Sequence, residues 1–266
     1  MASDIENFVD NPAVLAAAAE ILGAGEYLAQ LTIDVQQIAA PTGDELERAR
    51  WTAARFEAMG LTDISIDPVH NVFARRAGHD AAVPALLVSA HTDTVFPAET
   101  DLTVHFDDET HRIYGPGIGD NSAGVASLLS LAETLSKLPE PAGDIWLVAN
   151  SGEEGLGDLR GIRAAVERLQ ERIGASIVIE GMGFGRIVHR ALGSRRYRIM
   201  ATAPGGHSWS DFGTASAIHA LVLLASEIVQ IKVPAKPRTT FNIGRITGGT
   251  SINTIAQEAS FELDLR

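Results

Sequence analysis

Apolar and polar residues follow two rhythms along this chain, and the change of rhythm divides it. Residues 84–90 form a nearly continuous apolar run, the pattern of a strand buried on both faces of a sheet. Residues 144–149 and 175–179 repeat it, so three buried strands are predicted. The intervening stretches 125–138 and 159–173 carry apolar residues at helical spacing, and Pro139 and Pro141 close the first. Upstream, residues 11–38 read as a helix or helix pair broken near Gly23 and Gly25. Residues 41–43 form a turn, and 44–59 a helix stopped by Gly60. Residues 61–67 and 71–75 alternate like strands, and 104–114 like a hairpin turning at Asp107 and Asp108. Apolar strands alternating with helices predict βαβ units and an α/β fold with a mainly parallel sheet. After about Gly193 the order becomes strand 197–203, helix 213–231, strands 239–247 and 258–265. That order suits a small antiparallel α+β sheet covered by a helix. The expected division is a first domain over 1–193 and a second over 194–266.

Composition narrows the function. The 266 residues are 45% hydrophobic, enough for one large core or two modest ones. The formal charge of −13 argues against nucleic acid and against an anionic membrane surface as partners. No cysteine is present, which excludes disulfides, thiolate metal sites and cysteine nucleophiles. Any metal must be held by histidine and carboxylates, a donor set suited to Zn, Mn or Co. The start of the chain has no basic leader, and the apolar run 13–19 is cut short by Glu20, so a cytoplasmic location is expected.

The candidate chemistry lies just past the predicted strand ends. In an open α/β sheet, ligands bind beyond the carboxyl ends of the strands. His91 and Asp93 follow the first buried strand, Glu153 and Glu154 the second, and Glu180 the third. Asp120 sits between a glycine-rich turn, Gly115 to Gly119, and a helix start. Singly, each has an ordinary reading: a loop histidine, a helix cap, a solvated acid pair, an exposed loop acid. Together they aim one imidazole and several carboxylates at one sheet edge, where bound cations would relieve their repulsion. The glycines also suit a dinucleotide-binding loop, but Asp120 would repel a pyrophosphate at the helix N-terminus and the third glycine is misplaced.

At this point the residues resemble the M20 family of dinuclear zinc aminoacylases and exopeptidases. The matching stretches are Ser89-Ala90-His91-Thr92-Asp93-Thr94-Val95, Tyr114-Gly115-Pro116-Gly117-Ile118-Gly119-Asp120-Asn121, Ser151-Gly152-Glu153-Glu154-Gly155, Glu180, Pro204-Gly205-Gly206-His207-Ser208, and 248–255. The resemblance implies a zinc-exopeptidase-like catalytic domain with a ferredoxin-like lid and dimerisation domain. It implies two divalent ions, zinc foremost, with cobalt or manganese as alternatives. His91 and Glu180 would bind one ion and Glu154 the other. Asp120 would bridge them, Asp93 would orient His91, and Glu153 would be the general base. His207 would reach an active site across a homodimer and stabilise an oxyanion. Asn253 and Arg266 would hold the substrate, a small peptide or an N-acyl amino acid. Ser122 stands where the family often has Lys. Family members continue beyond the Asp264-Leu265-Arg266 region and supply a final metal-binding histidine. The expectation is therefore a fragment, weak or inactive alone, with one ligand of the second ion missing. His70, His79, His105, His111, His189 and His219 match no motif and are not assigned that role. The alternative to a hydrolase is a non-catalytic, dimeric binding relative.

Overall fold

The structure is a computed structural model that describes residues 10–181 and 185–266. The chain forms two compact units, Met1–Arg186 and Ile187–Arg266.

The first unit is a three-layer arrangement around one sheet. Helices α1 (Pro12–Gly23), α2 (Gly25–Gln36) and α3 (Leu46–Ala58) precede β1 (Thr62–Ile66), β2 (Val72–Arg76) and β3 (Ala85–His91). A small hairpin, β4 (His105–Asp107) with β5 (Arg112–Tyr114), leads to α4 (Ala123–Lys137). Then come β6 (Ile145–Asn150), α5 (Arg160–Leu169) and β7 (Ile173–Val178). The strand order is β1-β2-β6-β3-β7. Alternate residues of the central strands fill two cores. Val88, Ala90, Leu147 and Ala149 join Leu31, Val35, Phe56, Val125 and Leu129 from α2, α3 and α4 on one face. Leu87, Trp146 and Val148 join Ala165 and Leu169 of α5 on the other. Among the described residues no single helix is long and apolar enough to cross a membrane.

Two expectations change. The sheet is mixed: β3 runs parallel to β6 and β7, but β2 is antiparallel to β6 and β1 to β2. The cause is local. Only residues 67–71 join β1 to β2, too few for a parallel crossover, and Asp67 Oδ1 tightens that link by accepting from Val69 N and Asn71 N. The third apolar run is also not buried. It forms β7 at the sheet edge, where Ile177 is 53% and Val178 63% exposed. An apolar run reports composition and does not say which strand is outermost.

Arg48 of α3 is 2% exposed. Its guanidinium donates to Ile38 O and, at 2.7 Å, to Thr92 O, clamping the loop after β3. Burial lowers its pKa to about 10, partly opposed by Asp93. Arg48→Ala would leave two buried carbonyls without donors and open a cavity. The expected loss is about 3–5 kcal/mol of unfolding free energy, measured by urea titration. A loss under about 1 kcal/mol would mean that water replaces the clamp at little cost.

In the second unit, β8 (Arg195–Thr202), β10 (Phe241–Gly248) and β12 (Glu258–Leu265) form an antiparallel sheet in the order β10-β12-β8. Helix α6 (Ala217–Val229) packs Ala217 and Leu221 against Ala259 and Phe261 of β12. Ser216 caps it, its hydroxyl accepting from His219 N. A two-residue ladder pairs β9 (Gly206–His207) with β11 (Thr254–Ile255).

Candidate metal centre

Because β3, β6 and β7 are parallel, their carboxyl ends meet at one edge, and each delivers acids or an imidazole there. His91 is the last residue of β3, Glu153 and Glu154 follow β6, and Glu180 follows β7. Asp120 arrives on the turn before α4, where Asp120 (φ −123°, ψ 96°) and Asn121 (φ −128°, ψ 37°) leave helical geometry. Gly117 makes that turn possible. Its φ is +68°, and a Cβ there would lie 2.8 Å from Thr94 Cγ2. Asp120 is not the cap of α4. Asn121 Oδ1 accepts from Gly124 N at 3.1 Å instead, which leaves the Asp120 carboxylate for His91.

The buried His91 ring is held from both sides. Nδ1 lies 3.1 Å from the Asp93 carbonyl oxygen and 3.5 Å from Asp93 Oδ1. Nε2 faces Asp120 Oδ1 at 3.1 Å and Glu180 Oε2 at 3.6 Å. With Nδ1–H donating to the Asp93 carbonyl, Nε2 is the nitrogen free to meet a cation. Asp93 is fully buried and also fixes the neighbouring loop. Its Oδ1 accepts from Glu153 N at 2.9 Å, and its Oδ2 from Glu154 N at 3.0 Å and Thr42 Oγ1 at 2.8 Å. Two groups of possible ligands result, His91 with Asp120 and Glu180, and His91 with Glu153 and Glu154. Within each group the donor atoms lie within 4.8 Å of one another. Their common member is His91, whereas the resemblance placed Asp120 in the shared position.

The electrostatics suit a cation. Burial pushes Asp93 up, but hydrogen bonds from His91, the Glu153 and Glu154 amides and Thr42 outweigh it and hold the carboxyl at about 2. Burial disfavours a charged His91, yet Asp93 and Glu180 raise it to about 10. Burial raises Glu153, with Asp93, Glu180 and Asp120 adding to the rise against His91. Burial raises Glu154 too, helped by Asp120 and Glu153. Negative charge is thus concentrated where several acids resist carrying it. One imidazole nitrogen and four carboxylates are the hard and borderline donors that a divalent ion such as zinc accepts. By this donor chemistry the residues fit a divalent ion, and the two groups share one imidazole.

Several supporting residues gave no sequence signal. Asn121 is buried and bridges the Asp120 turn to the end of β7, donating to Ile179 O and accepting from Gly181 N at 2.8 Å. Thr42 reaches Asp93 from the turn before α3. An Asn beside the recognised Asp was the only available hint of the first; for Thr42 there was none.

The remaining candidates lie in the second unit. The β9–β11 ladder sets His207 opposite Thr254, and Ser208 N donates to Asn253 O at 3.0 Å, so His207 and Asn253 are neighbours. Arg266 is not beside them. Its guanidinium donates to Asp264 Oδ2 at 2.8 Å, and its backbone pairs with Thr240, beyond the opposite end of β12.

The model of Peptidase family M20/M25/M40 matches residues 87–260. A succinyl-diaminopimelate desuccinylase from Delftia acidovorans is 27% identical over 250 residues, covering 85% of this chain and 64% of that protein. A tripeptidase from Staphylococcus aureus is similar in structure, with a TM-score of 0.61 and 25% identity over 90% of this chain and 65% of that one. A dinuclear metal binding peptidase of the M20 family from Bacillus subtilis shares the fold, with a TM-score of 0.55 and 16% identity over 91% of this chain and 64% of that one. The chain spans between about half and two thirds of the length of the curated relatives it matches.

Proposed function

Since the chain belongs to Peptidase family M20/M25/M40, we propose that it is a metal-dependent hydrolase cleaving an amide bond in a small peptide or an N-acyl amino acid. The observation that carries this reading is the convergence of His91, Asp120, Glu153, Glu154 and Glu180 at one sheet edge. The similar proteins named as a desuccinylase and a tripeptidase supply both substrate classes.

His91 and Glu180 would hold one divalent ion and Glu154 a second, with Asp120 between them; zinc is the first choice, cobalt or manganese the alternatives. Such ions, when bound, polarise an amide carbonyl and make a water nucleophilic at neutral pH. Glu153 takes the water's proton and returns it to the leaving amine. Burial raises its pKa, the direction that strengthens a carboxylate as a proton acceptor. Asp93 holds His91 Nδ1 by its backbone carbonyl and ties the Glu153 and Glu154 amides by its carboxylate, so one buried residue aligns the imidazole and the base together.

The second unit is proposed as a lid and dimerisation domain with a ferredoxin-like plan. Support comes from α6, where Val222, Leu223 and Val229 are exposed. Trp209 N donates to His207 Nδ1 at 3.3 Å, so the neutral ring carries its proton on Nε2. That N–H would stabilise the oxyanion formed in the other copy. Asn253 beside it would contact substrate.

The test is a panel of small peptides and N-acyl amino acids, assayed with added zinc, cobalt or manganese, alongside metal analysis and sedimentation. In the full-length protein the expected results are about two ions per subunit as in two-metal hydrolases, chelator-sensitive cleavage and a dimer mass. Bound metal with no cleavage of any panel member would favour a binding protein.

A further inference from the structure

Glu45 and Arg160 are 115 residues apart in sequence and form an ion pair, buried on the Glu45 side and partly exposed on the Arg160 side, against the loop that carries Glu153 and Glu154. The Glu45 side chain is 0% exposed and fully engaged. Arg160 Nη2 donates to its Oε1, Gly43 N donates to the same oxygen at 2.8 Å, and His70 Nδ1 meets its Oε2 at 3.1 Å. Arg160 in turn packs closely against Gly152. A Cβ on Gly152 would come within 2.5 Å of Arg160 Cζ and Nη1, and Gly152 has a φ of +60°. The glycine therefore serves both a left-handed turn and the guanidinium packed on it.

The loop is pinned elsewhere by other groups. Before Gly152, Ser151 N donates to Asn71 Oδ1 at 3.0 Å, Ser151 Oγ donates to Val69 O, and Gly161 N donates to Ser151 O at 3.1 Å. After it, the Glu153 and Glu154 amides donate to Asp93. Gly152 is the one joint between these anchors, and Arg160 covers it. Glu45 matters in two ways. It fixes the guanidinium in place, and it balances the positive charge of that guanidinium.

We propose that Glu45 and Arg160 are a positioning pair, setting the direction in which Glu153 and Glu154 leave the sheet edge. Neither touches the reacting groups; they act through the backbone of Gly152. The kinetic part of this assignment rests on the hydrolase reading, whereas the structural part does not.

Amide hydrogen exchange tests it directly, on E45Q, R160Q and R160K and on the double variant E45Q/R160Q, each read against the unsubstituted protein. In E45Q and R160Q the Glu153 and Glu154 amides should exchange at least ten-fold faster, with β3 and β6 unchanged within two-fold. In the same variants kcat should fall at least ten-fold at a KM within two-fold. R160K keeps the charge without the flat guanidinium and should recover part of the loss. The double variant buries no lone charge, so it decides the matter if either single variant fails to fold. Its loop amides should be as fast as those of the singles. Unchanged loop exchange would overturn the proposal. So would equal acceleration in β3 and β6, which would mark the pair as general support for the fold. If the unsubstituted protein cleaves nothing, the exchange result still decides the positioning role, and only the hydrolase reading falls.

Discussion

Replacing Glu153 by Gln is expected to lower kcat by about 10²–10⁴, the range contributed by a positioned general base. Metal content should stay at the wild-type level. The substitution keeps the side chain's shape and removes only its ability to take a proton. The backbone should not move, because the Glu153 amide is held by Asp93 Oδ1 and that bond does not involve the side chain. Turnover measured beside metal analysis on the same preparation separates the outcomes. Activity within a few-fold of wild type would transfer the base role to another group. Loss of metal would make Glu153 a ligand, the role open to it in the group it forms with His91 and Glu154.

Asp120→Ala should produce opposite changes in stability and metal binding. The Asp120 side chain is 48% exposed, faces His91 Nε2 at 3.1 Å and otherwise lies among carboxylates, contributing to the raised pKa values of Glu153 and Glu154. Asn121, not Asp120, is the side chain that accepts from the first turn of α4. Removing Asp120 should therefore leave metal-free stability unchanged or slightly higher, within about 0.5 kcal/mol. With one ligand gone, metal stoichiometry should fall to one ion or fewer, and turnover on the order of 10²-fold or more, since the charge and orientation supplied by the ions is the main chemistry of such sites. Thermal unfolding in chelator, followed by metal titration, measures both halves. Two tightly held ions in the variant would remove Asp120 from the ligand set.

Much of the site was legible because its logic is local. An apolar run followed by an acid or histidine marks a strand end facing a ligand, and His91, Asp93, Glu153, Glu154 and Glu180 each have that form. Asp120 was legible through the glycines before it. The helices near Gly23 and Gly25, and the hairpin near Asp107, followed from spacing and turn residues. What escaped was long-range. Glu45 reads as an ordinary acid near a helix start, and only folding brings Arg160 to it. The exposure of β7 escaped for a related reason, because the order of strands in a sheet is not written in any one strand. The spacing of Asn253 and Arg266 was not legible either: β12 lies between them, roughly 25 Å of extended chain.

Strand β7 also has a colloidal consequence. As the outer strand of its sheet it offers a row of backbone donors and acceptors, flanked by the exposed Ile177 and Val178. Such an edge is a template for another strand, and its tendency to recruit one rises with protein concentration. Glu180 lies two residues beyond the end of that row, with its carboxylate 3.6 Å from His91. Any strand that adds there with a shifted register would drag the Glu180 backbone with it. Solubility and the geometry of the candidate metal centre thus meet at the same edge.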